Sequence, residues 1–216
     1  MNKPRPRYTF TFLRHGESVG NAESRRQGQM DYPLNDTGRA QARALAERWL
    51  REKMTFDKIF ASPLARARET AEILAEALEL SVEFDSIWME RSAGELSGLT
   101  ASEVRRRPAP EFTNPYQDVG GNGEGDWELF LRGGQALHNL LRQPVGSYLI
   151  VSHGGLLNLV MHAAAGITPH ANNGGPRFRF ENSGFARLIY FPSLHRWEFD
   201  TLNDHAHWNP ALNAAD

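Results

Sequence analysis

Residues 11–21, TFLRHGESVGN, contain two side chains that could act as a nucleophile. The stretch 16–20, GESVG, matches the G-x-S-x-G turn that exposes a serine nucleophile in hydrolases. Alternatively, His15 follows Arg14 at the end of an apolar run, and a histidine imidazole can attack phosphorus. The choice between Ser18 and His15 separates an acyl-transfer enzyme from a phosphoryl-transfer enzyme.

The surroundings of Ser18 are a poor match to a serine hydrolase. A nucleophile elbow needs a helix directly after its last glycine and an oxyanion loop earlier in the chain. The residues after Gly20, NAESRRQGQMDYP, are poor helix formers, and the single His-Gly-Gly sequence, at 153–155, comes far later. A serine hydrolase that uses Ser18 is therefore only an alternative to the phosphoryl-transfer enzyme.

Arginine, histidine and glutamate at the ends of predicted strands favour phosphoryl transfer. A phosphoryl group carries its charge on several oxygens, so its site needs dense positive charge and hydrogen-bond donors. Arg14, Arg66 and a protonated His153 would supply both without a metal ion. His15 would attack as a neutral imidazole whose second nitrogen is held by a hydrogen bond. Glu90 would protonate the leaving alkoxide and then activate the water that releases phosphate.

Two glycines fit the same chemistry. Gly16 would let other backbone approach the histidine closely, because glycine has no Cβ atom. The predicted helix after Gly154 would point its N-terminus at a bound anion, which is attracted by free N–H groups and the helix dipole.

The order of strands and helices would bring these side chains to one edge of a sheet. Apolar β-rich runs predict strands at 8–13, 56–63, 81–85 and 147–151, with a β-rich tail at 177–203. Amphipathic patterns predict helices at 35–53, 64–78, 126–142 and 156–165. This alternation predicts an α/β fold: a three-layer sandwich with a mainly parallel central sheet, an antiparallel edge strand and helices on both faces. Ligands of such sheets bind beyond the carboxyl ends of the strands.

The segment at about 104–125 interrupts this alternation. It follows a capping box at 100–103 and is rich in proline and glycine, without a helical period. Long irregular segments in compact domains are usually functional, so we predict one domain over 1–216 with a lid or insertion here. The helix after it is predicted to bury one apolar face, formed by Trp127, Phe130, Leu131, Leu137 and Leu141.

Composition narrows the possible partners. The chain has 216 residues, no cysteine and a net charge of −2. Absence of cysteine excludes disulfides, cysteine-ligated zinc and cysteine nucleophiles, and the charge gives no general attraction to nucleic acid or membrane. No apolar run approaches the roughly 20 residues of a membrane span, and the N-terminus has no signal-peptide core. We expect a soluble cytoplasmic protein, with its oligomeric state left open.

An ordered set of motifs resembles the histidine phosphatase superfamily, which includes cofactor-dependent phosphoglycerate mutases and many small phosphatases. The matching segments are LRHGES with Asn21, QGQMDYPLNDTGRAQA at 27–42, SPLARARETA at 62–71, ERSAGELSG at 90–98, VSHGG at 151–155 and LNDHAHW at 202–208. The resemblance implies that His15 is phosphorylated and that Glu90 donates the proton. We expect that no metal or cofactor takes part.

The resemblance also implies a phosphate pocket. Arg14, Arg66 and His153 would form it, with Asn21 as a further contact. Gln27 and Gly28 would line the substrate side. His205 and His207 resemble a metal-binding pair but are predicted to pack near the C-terminus.

One departure distinguishes between the activities of this family. Mutases carry a His-Tyr pair two residues after the acid, whereas Ser92 and Ala93 stand there in this chain. We therefore expect a metal-independent phosphatase that acts on a small phosphorylated metabolite, whose identity the 104–125 segment would set. Besides the serine hydrolase, the alternatives are a phosphoglycerate mutase-type phosphotransferase and a non-catalytic, phosphate-binding regulatory protein.

Overall fold

The computed structural model describes residues 5–108 and 113–208. Within them, six strands form one sheet in the order β3-β2-β4-β1-β5-β6. The first four strands run parallel, and β5 and β6 are antiparallel to their neighbours, which confirms the predicted fold class. The strands are β1 (Tyr8–Arg14), β2 (Lys58–Ala61), β3 (Val82–Phe84), β4 (Ser147–Ser152), β5 (Phe185–Phe191) and β6 (Arg196–Asp204).

Helices cover both faces of the sheet. Successive strand residues point to opposite faces, so Phe12 and Ile150 enter one core while Leu13 and Leu149 enter the other. Helices α5 and α6 close the first core, and α2 and α3 close the second. The described α-helices are α1 (Val19–Ala22), α2 (Asp36–Arg51), α3 (Ala65–Leu78), α4 (Ala101–Arg106), α5 (Asp126–Leu141) and α6 (Gly154–Ala165). None of these helices has the length and apolar character needed to cross a membrane.

The predicted apolar face of α5 was partly wrong. Leu131 is 57% exposed, and the buried positions are Leu129, Gly133, Ala136, Leu137 and Leu140. A Cβ atom on Gly133 would lie 3.3 Å from Val160 of α6, so small residues mark the helix–helix contact. The prediction from large apolar residues alone therefore placed the buried face part of a turn away from its position in the structure.

The structure describes most of the predicted lid. Its first residues belong to α4, whose predicted capping box on Thr100 is confirmed, and residues 109–112 lie outside the described part of the chain. The segment that follows packs against the loop after Glu90. A Cβ atom on Gly120 would lie 2.5 Å from the carbonyl oxygen of Ala93, so these two backbones are in close contact.

The loop after β1 touches the N-terminus of α2 backbone to backbone. A Cβ atom on Gly16 would lie 2.5 Å from the Gly38 carbonyl oxygen, and one on Gly38 would lie 2.0 Å from that of Glu17. The predicted close approach at Gly16 is therefore confirmed. It fixes the loop that carries His15 against a helix end.

Alanine substitutions at two helical glycines, one inside this contact and one outside it, should change stability in opposite directions. Gly38→Ala should lower the free energy of unfolding by about 1–3 kcal/mol, because backbone must move to admit the methyl group. Gly134→Ala, in α5, meets nothing within 4 Å and should raise it by about 0.5–1 kcal/mol through helix propensity. Urea unfolding of both variants measures the difference. A Gly38→Ala protein as stable as wild type would contradict the close contact.

Candidate active site

Two histidines meet beyond the carboxyl ends of neighbouring parallel strands. His15 follows β1 and His153 follows β4, and the last residues of these strands, Arg14 and Ser152, are in register. The centroids of the two imidazole rings are 5.0 Å apart, and the rings lie edge to face at 60°. Both side chains are buried. The predicted convergence of these two strand ends is confirmed.

His15 is held as a neutral imidazole with a defined tautomer. Its Nδ1 atom lies 2.6 Å from the Gly16 carbonyl oxygen. Because a carbonyl oxygen can only accept, Nδ1 carries the proton and Nε2 keeps the lone pair. Burial lowers the pKa of His15 well below 6.5, and the charges of Arg66 and Arg14 lower it further. The ring is therefore neutral, with an unprotonated Nε2 atom.

Residues that were not predicted support the His15 loop. The Asn182 side-chain amide donates to the carbonyl oxygens of His15 and Gly16, both at 3.2 Å. Thr70 Oγ1 accepts from the Gly16 N–H at 3.1 Å. Sequence reasoning gave Asn182 no role, because its partners lie more than 160 residues away along the chain.

The C-terminal histidines lie behind this loop. His207 Nε2 lies 2.9 Å from Ser183 Oγ, and the Ser183 N–H donates to the His15 carbonyl oxygen. Burial lowers the pKa of His207 to about 4. His205 is exposed, and its Nδ1 atom is hydrogen-bonded to the Asn203 carbonyl oxygen. The predicted packing role is thus confirmed for His207, whereas His205 lies at the surface.

Arg66, which is buried, and Arg14, which is partly buried, supply positive charge next to the histidines. Arg66 donates to the carbonyl oxygens of Met30 and Gly28 at 2.8 and 2.7 Å, and Arg14 donates to that of Phe180 at 2.8 Å. Burial lowers the pKa of Arg66 to about 10, and it lowers that of Arg14 as well. Arg66 thus stays protonated near neutral pH, and Arg14, as a guanidinium, does too.

The protonation state of His153 differs from the predicted one. Burial lowers its pKa well below 6.5, and Arg66 is the next largest cause. The expectation of a protonated His153 was therefore wrong, because a buried imidazole beside a guanidinium is more stable uncharged. Its Nε2 atom lies 2.8 Å from Ser62 Oγ, which accepts from the Leu64 N–H. A Ser62 hydroxyl that donates to Nε2 leaves the ring proton on Nδ1.

Glu90 occupies the N-terminus of α6. Its carboxylate accepts from the N–H groups of Gly155 and Leu156, each at 3.1 Å, and from that of Arg91 at 2.8 Å. We expected the helix after Gly154 to direct these amides at a bound anion. They serve the Glu90 carboxylate instead, because a helix N-terminus attracts any nearby negative charge. A Cβ atom on Gly155 would lie 2.4 Å from Glu90 Oε1, so any other residue there would displace this carboxylate.

Two further predicted residues, Asn21 and Gln27, form a polar cluster around Ser18, and a third, Gly28, lies next to Arg66. Asn21 Oδ1 accepts from the Ser18 N–H and from the Asn182 amide, and Ser18 Oγ lies 2.8 Å from Gln27 Oε1. Gly28 has a positive φ of 53° and turns its carbonyl oxygen toward Arg66. Asn21 therefore lies beside the His15 loop, and Gly28 lies beside Arg66.

Ser18 has a structural position. It is fully buried and caps α1, since its Oγ accepts from the Asn21 N–H at 3.1 Å. Among the described residues no histidine bonds to its hydroxyl. The geometry therefore does not support a nucleophile elbow at Ser18.

Comparisons with known proteins show the family of this chain. The profile of the histidine phosphatase superfamily (branch 1) matches residues 10–205. A probable phosphoglycerate mutase GpmB of Photorhabdus laumondii is 36% identical over 211 residues, covering 93% of this chain and 95% of its own. The corresponding protein of Salmonella choleraesuis is 35% identical over 213 residues, with the same coverage.

Solved structures of phosphatases share the fold. A mycobacterial glucosyl-3-phosphoglycerate phosphatase in complex with VO3 is 26% identical and has a TM-score of 0.76, covering 91% of this chain and 99% of its own. A phosphoserine phosphatase of Entamoeba histolytica in complex with 3-phosphoglyceric acid is 22% identical and has a TM-score of 0.75, covering 93% and 98%. The profile match and these relatives show that the chain is an enzyme that belongs to the histidine phosphatase superfamily.

Proposed function

We propose that this enzyme is a metal-independent phosphatase that hydrolyses a small phosphomonoester through a phosphohistidine on His15. The observation that carries the proposal is a set of buried nitrogen atoms near His15: Arg14 Nε, Arg66 Nε and His153 Nδ1. None of them has a hydrogen-bond partner among the described residues. Buried polar groups without a partner are costly, and the oxygens of a phosphoryl group would satisfy all three.

The geometry supports a two-step reaction. In the first step His15 Nε2 attacks phosphorus, the N–P bond forms as the bond to the leaving oxygen breaks, and Glu90 gives that oxygen a proton. In the second step water attacks phosphorus, the N–P bond breaks, and the Glu90 carboxylate takes the proton from water. Arg14 and Arg66 would balance the charge of the phosphoryl oxygens in both steps.

A mutase remains the second candidate, because the relatives at 35 and 36% identity are named probable phosphoglycerate mutases. A mutase would return the phosphoryl group to the substrate instead of to water. The positions of the mutase His-Tyr pair hold Ser92 and Ala93, and Ala93 is buried against Gly28. This difference favours the phosphatase, as does the name of the 26% identical structure in complex with VO3.

Hydrolysis of an aryl phosphate in excess EDTA at about pH 6, near the ordinary histidine pKa, tests the proposal. Wild type should release phosphate, and His15→Ala should reduce release to the level of the buffer while its circular dichroism stays unchanged. Phosphoglycerate is assayed in parallel for phosphate release and for isomerisation. Activity that survives in His15→Ala, a wild type that is inactive, or isomerisation without release would each overturn the phosphatase.

Replacement of Glu90 should affect substrates according to their leaving group. Glu90→Gln keeps the size of the side chain but cannot donate a carboxylic proton. We expect kcat/KM for an alkyl phosphate to fall by about 10²–10⁴-fold, and that for p-nitrophenyl phosphate to fall much less, because nitrophenolate leaves without a proton. Inhibition by vanadate should persist in the variant. An equal loss for both substrates would count against Glu90 as the acid.

The protonation state of His15 can be observed directly. Its lowered pKa means that the ring stays neutral as pH falls through 6.5 and gains a proton only well below that value. NMR of ¹⁵N-labelled histidine, with His15→Ala for assignment and urea-unfolded protein as the reference, follows this titration. A His15 signal that titrates near 6.5 in the folded protein would show that burial and the arginines do not control the ring.

A further inference from the structure

Arg132, in the middle of α5, binds the loop that carries Glu90. Its Nη1 atom donates to the carbonyl oxygens of Ile87 and Met89 at 2.8 and 2.6 Å, and Nη2 donates to that of Glu90 at 3.3 Å. The Trp88 carbonyl oxygen, between them, accepts from the hydroxyl group of the serine that ends β4 at 2.8 Å. Four consecutive carbonyls of this loop are therefore held by side-chain hydrogen bonds.

Glu124 fixes the orientation of the Arg132 guanidinium. Its two carboxylate oxygens accept from Nε and Nη2 of Arg132 at 2.7 and 2.6 Å, and both side chains are largely buried, at 15 and 20% exposure. With the three carbonyls, all five N–H groups of Arg132 are used. A lysine has only three N–H donors and cannot reproduce this planar fork.

Glu124 is itself tied to the residues just after Glu90. Its N–H donates to the Ser92 carbonyl oxygen at 2.8 Å, and its carbonyl oxygen accepts from Arg91 Nη1 at 3.2 Å. The segment before α5 and the loop at 87–92 therefore form one hydrogen-bonded unit around the guanidinium.

The two ends of Glu90 are thus held by two helices that pack together. Helix α6 holds the carboxylate through the N–H groups of Gly155 and Leu156, and α5 holds the backbone carbonyl through Arg132. The loop itself has little regular structure, with 3-10 turns at Ser86–Trp88 and Gly94–Leu96. Its shape therefore depends on these side-chain contacts.

We propose that Arg132 is a positioning residue that, oriented by Glu124, sets Glu90 for proton transfer without touching the substrate. This inference rests on the proposed role of Glu90 as acid and base. Proton transfer is sensitive to small displacements of the donor. Weakening the hydrogen bonds of the Arg132 guanidinium should therefore slow the steps in which Glu90 gives or takes a proton. A purely structural role for Arg132 would instead lower stability and affect all substrates alike.

Arg132→Lys, measured with an alkyl phosphate and with p-nitrophenyl phosphate, tests the proposal. We expect kcat for the alkyl phosphate to fall about 10- to 100-fold and that for the nitrophenyl ester to fall much less. In a Glu90→Gln background the same change should have no further effect on the alkyl phosphate, since the proton donor is already lost. An equal loss for both substrates, or a full additional loss in the double variant, would overturn the proposal.

Arg48→Lys is the matched control. Arg48 also makes a forked, largely buried ion pair, with Asp204 at 2.7 and 2.8 Å, but it lies far along the chain from the Glu90 loop. Its replacement should change the two substrates by the same factor. If Arg132→Lys fails to fold by circular dichroism, Glu124→Gln loosens the same fork and should show the same leaving-group dependence in weaker form.

The Glu90→Gln protein separates the two possible failures. If that variant shows no leaving-group dependence, the proposed role of Glu90 has failed, and the role of Arg132 with it. If Glu90→Gln behaves as expected while Arg132→Lys affects both substrates equally, only the positioning role is wrong.

Discussion

The site depends on two guanidinium groups, one buried and one partly buried, that lie beside two buried imidazoles. Burial and neighbouring positive charge both favour the neutral form of a histidine, and together they lower the pKa of His15 and His153 well below 6.5. The same burial lowers the pKa of Arg66 only to about 10, so the guanidinium keeps its charge. Positive charge and a free lone pair therefore coexist at one site, as the proposed attack on a phosphoryl group requires.

Buried charges need partners, and here backbone carbonyls provide them. Arg66 binds the carbonyls of Gly28 and Met30, and Arg14 binds that of Phe180. These bonds offset part of the cost of burying each cation. They also attach the loops around Gly28 and Phe180 to the pocket, so the charges that would bind substrate also shape its surroundings.

The proposed nucleophile and the proposed acid are supported from different parts of the fold. The His15 loop is fixed by the backbone contact with Gly38 and by Asn182, which precedes β5. The Glu90 loop is fixed by α5 and α6 on one face of the sheet. Rigid elements therefore set both groups, although each group lies in a loop. A phosphatase and a mutase could share this arrangement of loops and supporting helices, since they differ in what receives the phosphoryl group.

The sequence by itself determined the order of strands and helices, and thereby which side chains stand at strand ends. These features are local: strand and helix periods, capping residues and the ordered motifs around His15, Arg66, Glu90 and His153. Only the tertiary structure decided the neutral state of His153, the capping role of Ser18 and the contacts of Asn182 and Arg132. The physical reason is that charge states depend on burial, and burial, like a hydrogen bond between distant residues, exists only once the sheet has set its register.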